Sequence, residues 1–256
     1  MIFSRARIRF VACLIGLLVA NVSLAVENVE IVTAEGSVMV GDSPGQNMKP
    51  VQSKSILPAK NVLITGPTAR AVVRVGSDGF IVMGKNSQVE INRKNDQAGL
   101  FRQITGIIYY AFNSIKGSQR AIEVRTAAAT IGIRGTRFLV TDIAERNEIG
   151  MRKGLVSVTS PDGEFEIHKK TQQDEFEAFK QEAKVAIAKE KREFEKYNAN
   201  SQKEFIEYKR EFGLNANRMA SFDGKRVVDR PLSGETKKDM ESFEAYAEEW
   251  LKEVHD

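Results

Sequence analysis

The sequence predicts a mainly β protein: a solenoid-like roll or sandwich of short strands, followed by an α-helical C-terminal extension. Three observations predict it. Between Asn28 and Lys170, short β-branched runs alternate with glycine-bearing turns, the signature of an all-β chain. The recurring unit there, an apolar pair or triplet followed by glycine, favours a roll, although its register is too irregular for a fixed repeat length. From Thr171 onward the composition shifts to Glu, Lys, Gln, Ala and aromatics at helical spacing.

Within the β region, Val29 to Thr33, Ser37 to Val40 and Val62 to Thr65 are the first expected strands. Ala69, Ala71, Val73 and Val75 alternate with Arg70, Val72 and Arg74, and Gly76-Ser77-Asp78-Gly79 leads into Phe80-Ile81-Val82-Met83. That is a half-buried hairpin with a glycine-dependent turn. Val89 to Ile91, Ile104 to Tyr110, Ala121 to Arg125 and Phe138 to Thr141 follow as strands. Leu155 to Thr159 and Phe165 to His168 flank Ser160-Pro161-Asp162-Gly163 and predict a second hairpin, since proline presets φ and glycine tolerates φ > 0.

In the C-terminal region, residues 171–256, Phe176, Phe194 and Phe205 fall close to one line at 100° per residue. Phe179, Tyr197 and Tyr208 follow three positions after each, so one long helix would carry a paired aromatic stripe. A break is expected at Gly213 to Gly224. A second helix then begins with Ser233 as N-cap and turns Met240, Phe243, Ala247, Trp250, Leu251 and Val254 to one apolar face.

Residues 1–25 have the layout of a signal peptide: Arg5, Arg7 and Arg9, an apolar run from Phe10, and Ser23-Leu24-Ala25 before a cut. The run is shorter than the roughly twenty residues that span a bilayer comfortably. Cleavage after Ala25 is expected, with a periplasmic or secreted product. Cys13 lies at the start of the apolar run, where a lipidated cysteine would follow it, and it is the only cysteine. The mature chain would therefore have no disulfide, thiolate metal site or cysteine nucleophile. Removing three arginines lowers the formal charge from +4 to +1, which leaves no compositional argument for nucleic-acid binding.

The stretch Thr126 to Thr141, with Ile133-Arg134-Gly135-Thr136-Arg137-Phe138 at its centre, resembles the signature of the FecR domain family, whose core is Val/Ile-Arg-Gly-Thr-x-Phe. Gly36 to Val40, Leu63 to Gly66, the turn at Asp78-Gly79, Gly106 to Ile108 and Lys153 to Val158 support it in chain order. The resemblance spans roughly residues 34 to 168. Thr126-Ala127 departs from the Thr-Pro common in the family. Only about nine residues precede the apolar run, too few to form the cytoplasmic sigma-factor-binding domain of the founding regulator. The resemblance thus implies the extracytoplasmic, protein-binding part of the family, placed at residues 28–170.

Candidate sites are few. Gly132, Gly135 and Thr136 could form an anion-binding loop, but a strand bend that sterically needs glycine is the simpler expectation for Ile133, Arg134, Gly135, Thr136 and Phe138. Arg134 or Arg137 could pair with an internal carboxylate. His168 and His255 lack neighbours at metal-ligand spacing, and His168 should alternate outward from Ile167. No nucleophile elbow or P-loop is present. These features predict a non-catalytic protein without cofactor or metal, and the resemblance implies that it binds another envelope protein in signalling or envelope regulation. The stripe Phe176, Phe179, Phe194, Tyr197, Phe205 and Tyr208 is its candidate contact surface. A cell-wall or polysaccharide module is the alternative, but it should show a line of exposed aromatics on the β domain. Tyr109, Tyr110 and Phe112 form the only aromatic cluster there and read as core.

Overall fold

A computed structural model describes residues 29–58, 60–92, 99–113, 122–170 and 205–254. The leader, residues 1–25, and the positions Phe176, Phe179, Phe194, Tyr197 and His255 lie outside the described residues. The strands in chain order are β1 Val29–Glu35, β2 Val38–Gly41, β3 Lys49–Pro50, β4 Ser55–Leu57, β5 Lys60–Thr65, β6 Arg70–Val75 and β7 Gly79–Met83. They continue as β8 Gln88–Asn92, β9 Leu100–Phe112, β10 Ile122–Arg125, β11 Thr130–Ile133, β12 Arg137–Ile143, β13 Arg146–Lys153, β14 Leu155–Thr159 and β15 Phe165–Lys169. Then come β16 Phe205–Lys209, β17 Glu211–Asn215, β18 Arg218–Asp223 and β19 Arg226–Pro231, followed by the helices α1 Gly234–Tyr246 and α2 Glu248–Leu251.

The strands make two sheets that share β9. Sheet I runs β4-β1-β6-β7-β9-β12-β13-β18-β19-β15-β16. Sheet II runs β3-β2-β5-β8-β9-β10-β11-β14-β17. Of the two arrangements the sequence allows, this is the sandwich. Ile31, Val73, Ile81, Tyr110, Phe138 and Ile167 of sheet I meet Leu63, Val89, Phe101, Val124, Ile131 and Val158 of sheet II in one buried core. Rings bridge the layers at Phe101–Phe112, with centroids 5.7 Å apart, and at Phe165–Phe212, also 5.7 Å.

The joint between the layers is a bend in β9. Its first residues pair in sheet II and, from Gly106 on, in sheet I. Gly106 has φ +102°, and a β-carbon there would come within 2.4 Å of the Ser87 backbone, so only glycine fits. A bend of this kind breaks the ladder and leaves backbone groups to be paired. The Ile107 N–H donates to Ser87 Oγ at 3.1 Å. Gln103 Nε2 donates to the carbonyls of Gly106 at 2.9 Å and Val140 at 3.2 Å, and Tyr110 donates its hydroxyl to Gln103 Oε1 at 3.0 Å. The joint is thus saturated by side chains that a purely apolar core would not contain.

The first expected hairpin forms as β6–β7, with Val75 opposite Gly79. The second does not. β14 and β15 are both strands, but β14 pairs with β11 and β17 in sheet II, and β15 with β16 and β19 in sheet I. Ser160 to Gly163 therefore carries the chain across the sandwich. Period-two strands and a turn do not distinguish a hairpin from a layer crossing.

The C-terminal region is corrected more deeply. Residues 205–231 are four strands, so Phe205 and Tyr208 belong to β16 and not to a helix, and the expected break at Gly213 to Gly224 is mostly β17 and β18. In a strand, residues three apart do not share a face, so these two positions cannot prolong a helical stripe. β17 extends sheet II, while β18 and β19 extend sheet I between β13 and β15. The boundary expected at residue 170 therefore separates no independent unit: strands from beyond it complete both layers. Among the described residues helix begins at Gly234, where Ser233 Oγ accepts the Thr236 N–H at 3.1 Å as the expected N-cap.

Both helices cover the outer face of sheet I. Met240, Ala247, Leu251 and Val254 pack on Val72, Phe80, Val82, Tyr109 and Leu139, with Phe243 and Trp250 at the margin. Phe243 stacks on Tyr109 at 6.5 Å, and the Tyr109 hydroxyl donates to Glu244 at 2.6 Å. Burial, with Glu244 beside it, pushes the Tyr109 hydroxyl well above the usual phenol range. Arginines rim the contact: Arg74 pairs with Glu253, Arg146 with Glu235 and Asp239, and Arg152 with Glu244.

Candidate interaction face

With the outer face of sheet I covered, the outer face of sheet II is the broad surface left open among the described residues. From β8 to β17 its strands alternate, whereas on β5 the outward Val62, Cα partner of Glu90, is 1% exposed. Val89, Ile91, Phe101, Val124, Ile131, Val156, Val158 and Leu214 are buried, and the residues between them are half-buried or exposed. The register sets the outward residues in rows. One row runs Glu90, Arg102, Arg125, Thr130, Thr159 and Glu211, each the Cα partner of the next. The neighbouring row runs Asn92, Leu100, Glu123, Gly132, Ser157 and Gly213. Leu155, 52% exposed, adds an apolar side chain beside Gly213.

The first row lines a cleft of about 580 Å³, walled by Glu90, Asn92, Leu100, Arg102, Arg125, Thr126, Thr130 and Pro161. Arg102 lies 3.8 Å from Glu90, and Arg125 donates to Glu123 at 2.9 Å. The Thr126 hydroxyl accepts the N–H groups of Ala128 and Ala129 at 3.1 and 3.0 Å, which holds the β10–β11 turn against the cleft. Sequence reasoning missed this site, because its residues come from separate strands and meet only through the parallel pairing of β9 with β10.

Three of the four edge strands, β3, β4 and β16, are poorer candidates. β3 carries Pro50, β4 is three residues long, and β16 turns Glu207 between Lys169 and Lys209, at 2.9 and 2.5 Å. Proline, short strands and edge lysines are the devices that discourage strand addition. Tyr208 is 64% exposed on β16.

The Ile133 to Phe138 motif occupies a corner where the chain leaves sheet II for sheet I. Ile133, Thr136 and Phe138 are buried and Arg134 is exposed. Gly135 has φ +76°, a left-handed conformation that glycine adopts at no steric cost. Thr136 and Phe112 exchange backbone hydrogen bonds of 3.2 and 3.0 Å, and Phe138 stacks on Tyr110 at 5.1 Å. Gly132 is an ordinary position of β11. Arg137 donates to the Val254 carbonyl at 3.2 Å, tying the corner to the end of the helical cover.

Residues 61–157, from β5 into β14, match the FecR protein family. That segment, under half of the chain, is similar to a FecR domain. The matched segment contains the joint at Gly106, the corner at Gly135 and most of the cleft. The strands β15 to β19 and both helices lie beyond it and supply the helical cover of sheet I. Two crystal structures of a "putative anti-sigma factor" from Parabacteroides distasonis ATCC 8503 align at 11% identity and a TM-score of 0.44. The alignment spans 69% of this chain and 62% of theirs, less than two thirds of their length. No curated protein matches the chain.

His168 lies on the face of β15 opposite Ile167, as strand geometry requires, but it is 4% exposed, not outward in solvent as expected. Its Nε2 is 2.7 Å from Glu166 Oε1. Among the described residues no three His, Cys, Asp or Glu side chains are grouped to hold a metal ion. No described helix is long and apolar enough to cross a membrane.

Proposed function

We propose that this is a non-catalytic, extracytoplasmic FecR-type interaction and sensing protein that binds another envelope protein, in signalling or envelope regulation, through the outer face of sheet II. The open face carries the reading. From β8 to β17 its outward positions are mostly small, polar and charged residues in register, with Leu100, a cleft and the exposed Leu155 among them, while the opposite face is consumed by the chain's own helices. The FecR domain supports a regulatory role for the protein. The outward rows of sheet II contain no aromatic ring among the described residues, so the line of exposed aromatics expected of a polysaccharide module is not found on them.

Location outside the cytoplasm rests on the Arg5 to Ala25 layout. Sequencing the mature protein from cells is expected to begin at Val26, and an uncut N-terminus in the membrane fraction would reject the cleaved form. For the face itself, a photo-crosslinking residue at Thr130 or Ser157 is expected to trap one envelope protein in living cells, and the same residue at Lys238 on α1 is not. Equal trapping from both sides would overturn the assignment.

A further inference from the structure

In the first row of sheet II, Arg102 and Arg125 are direct Cα partners on neighbouring parallel strands. Strands lie about 4.8 Å apart, so both guanidinium stems rise side by side from one face. Like charges placed directly opposite each other destabilise a sheet. The flanking carboxylates answer this only in part. Glu90 stands at 3.8 Å from Arg102, too far for a hydrogen bond, and Glu123 takes a single donor of Arg125. Arg102 is 66% exposed and Arg125 52%, and both heads line the cleft with Thr130 and Asn92. An arginine fork offers five donors in a fixed plane, suited to the oxygens of carboxylate or phosphate.

We infer that this cleft is an oxyanion site in which Arg102 and Arg125 jointly grip a carboxylate or phosphate group of the ligand. The inference rests on the reading of sheet II as the binding face and gives that face its chemistry. The bound anion replaces the repulsion between the two arginines with a shared counter-charge. Thr130 supplies a hydroxyl, and Leu100 and Pro161 stand in the wall.

The test uses the full chain and thermal melting at constant ionic strength. Replacing chloride by inorganic phosphate, or by glutamate, is expected to raise the melting temperature by a few degrees. The anion that gives the larger rise identifies the group. Arg102→Gln and Arg125→Gln are each expected to abolish the rise without lowering the melting temperature in chloride. Glu90→Gln, which removes a competing carboxylate, is expected to enlarge it several-fold in apparent affinity. The same rise in both arginine variants as in the parent would overturn the inference. So would the absence of any anion-specific rise in the parent and in Glu90→Gln. If those results come with crosslinks from Thr130 and Ser157 intact, the oxyanion site fails alone; loss of the crosslinks defeats the binding face.

Discussion

The two outer faces of the sandwich are built from similar strands and meet opposite fates. On sheet I the outward positions are Val72, Phe80, Val82, Tyr109 and Leu139, and α1 and α2 bury them. On sheet II they are Glu90, Arg102, Arg125, Thr130, Gly132 and Ser157, and no described element covers them. The first face needs a cover because it is apolar, and the chain supplies one, with arginines at the rim pairing with the helix acids. The second is tolerable in water and keeps charges that sit uneasily together. A face that remains open yet holds unfavourable charge placement is the one to suspect of binding.

The largest expected effect comes from ending the chain at Lys170. This deletes the helical cover, β17 from sheet II, and β18 and β19 from sheet I. Loss of the cooperative melt and of the β-type circular dichroism spectrum is expected. A truncated chain that still folds would mean that the covered face does not need its cover.

Single side chains should separate the faces next. Met240→Ala beneath the helical cover is expected to cost about 2–5 kcal/mol in urea unfolding, as buried methionine truncations do. Leu155→Ala on the open face should stay within about 0.5 kcal/mol. Comparable costs would erase the distinction. At the corner that passes the chain between sheets, Gly135→Val is expected to cost at least about 1–2 kcal/mol because its φ is positive. An unchanged melting curve would show that the corner relaxes freely.

The smallest effects are pH-dependent and opposite in sign. The hydrogen bond from Arg74 holds the Glu253 carboxyl below its usual range, so its support for the helical cover is present at neutral pH and fades as pH falls through the lowered value. Glu253→Gln should lower the melting temperature slightly at pH 7 and not at pH 3, since exposed pairs contribute little. Burial raises Asp142, so its charge weakens the folded state at neutral pH and its protonation relieves that weakness. Asp142→Asn should raise the melting temperature at pH 7 and leave it unchanged at pH 3. A shared sign for both variants would contradict this assignment of causes.

Much of the β architecture was legible because period-two alternation survives in isolated segments such as Gln88 to Asn92 and Leu155 to Thr159. A further signal went unused. Phe80-Ile81-Val82-Met83 and Phe138-Leu139-Val140 are apolar at consecutive positions, which marks strands buried on both faces, and these are the strands beneath the helices. The crossing at Ser160 to Gly163 was not legible, because turn chemistry fixes local direction and not the layer that the next strand joins. Phe205 and Tyr208 misled for a related reason: their three-residue spacing fits a helix, and only pairing with β15 decides for a strand. The cleft was invisible for the same cause. Arg102 and Arg125 become neighbours through a parallel pairing that no local pattern announces.

The proposal turns on sheet II as the contact face, and capture of the proposed envelope partner by variants of the chain tests it most directly. Thr130→Tyr with Ser157→Tyr adds bulk to the open face in residues that strands accept. The proposal predicts that this pair abolishes capture while the melting temperature stays at the parental value, and that replacing residues 171–204 by a short Gly-Ser linker leaves capture intact. Capture that survives the tyrosine pair and disappears with residues 171–204 would contradict it, and would place the contact on Phe176, Phe179, Phe194 and Tyr197.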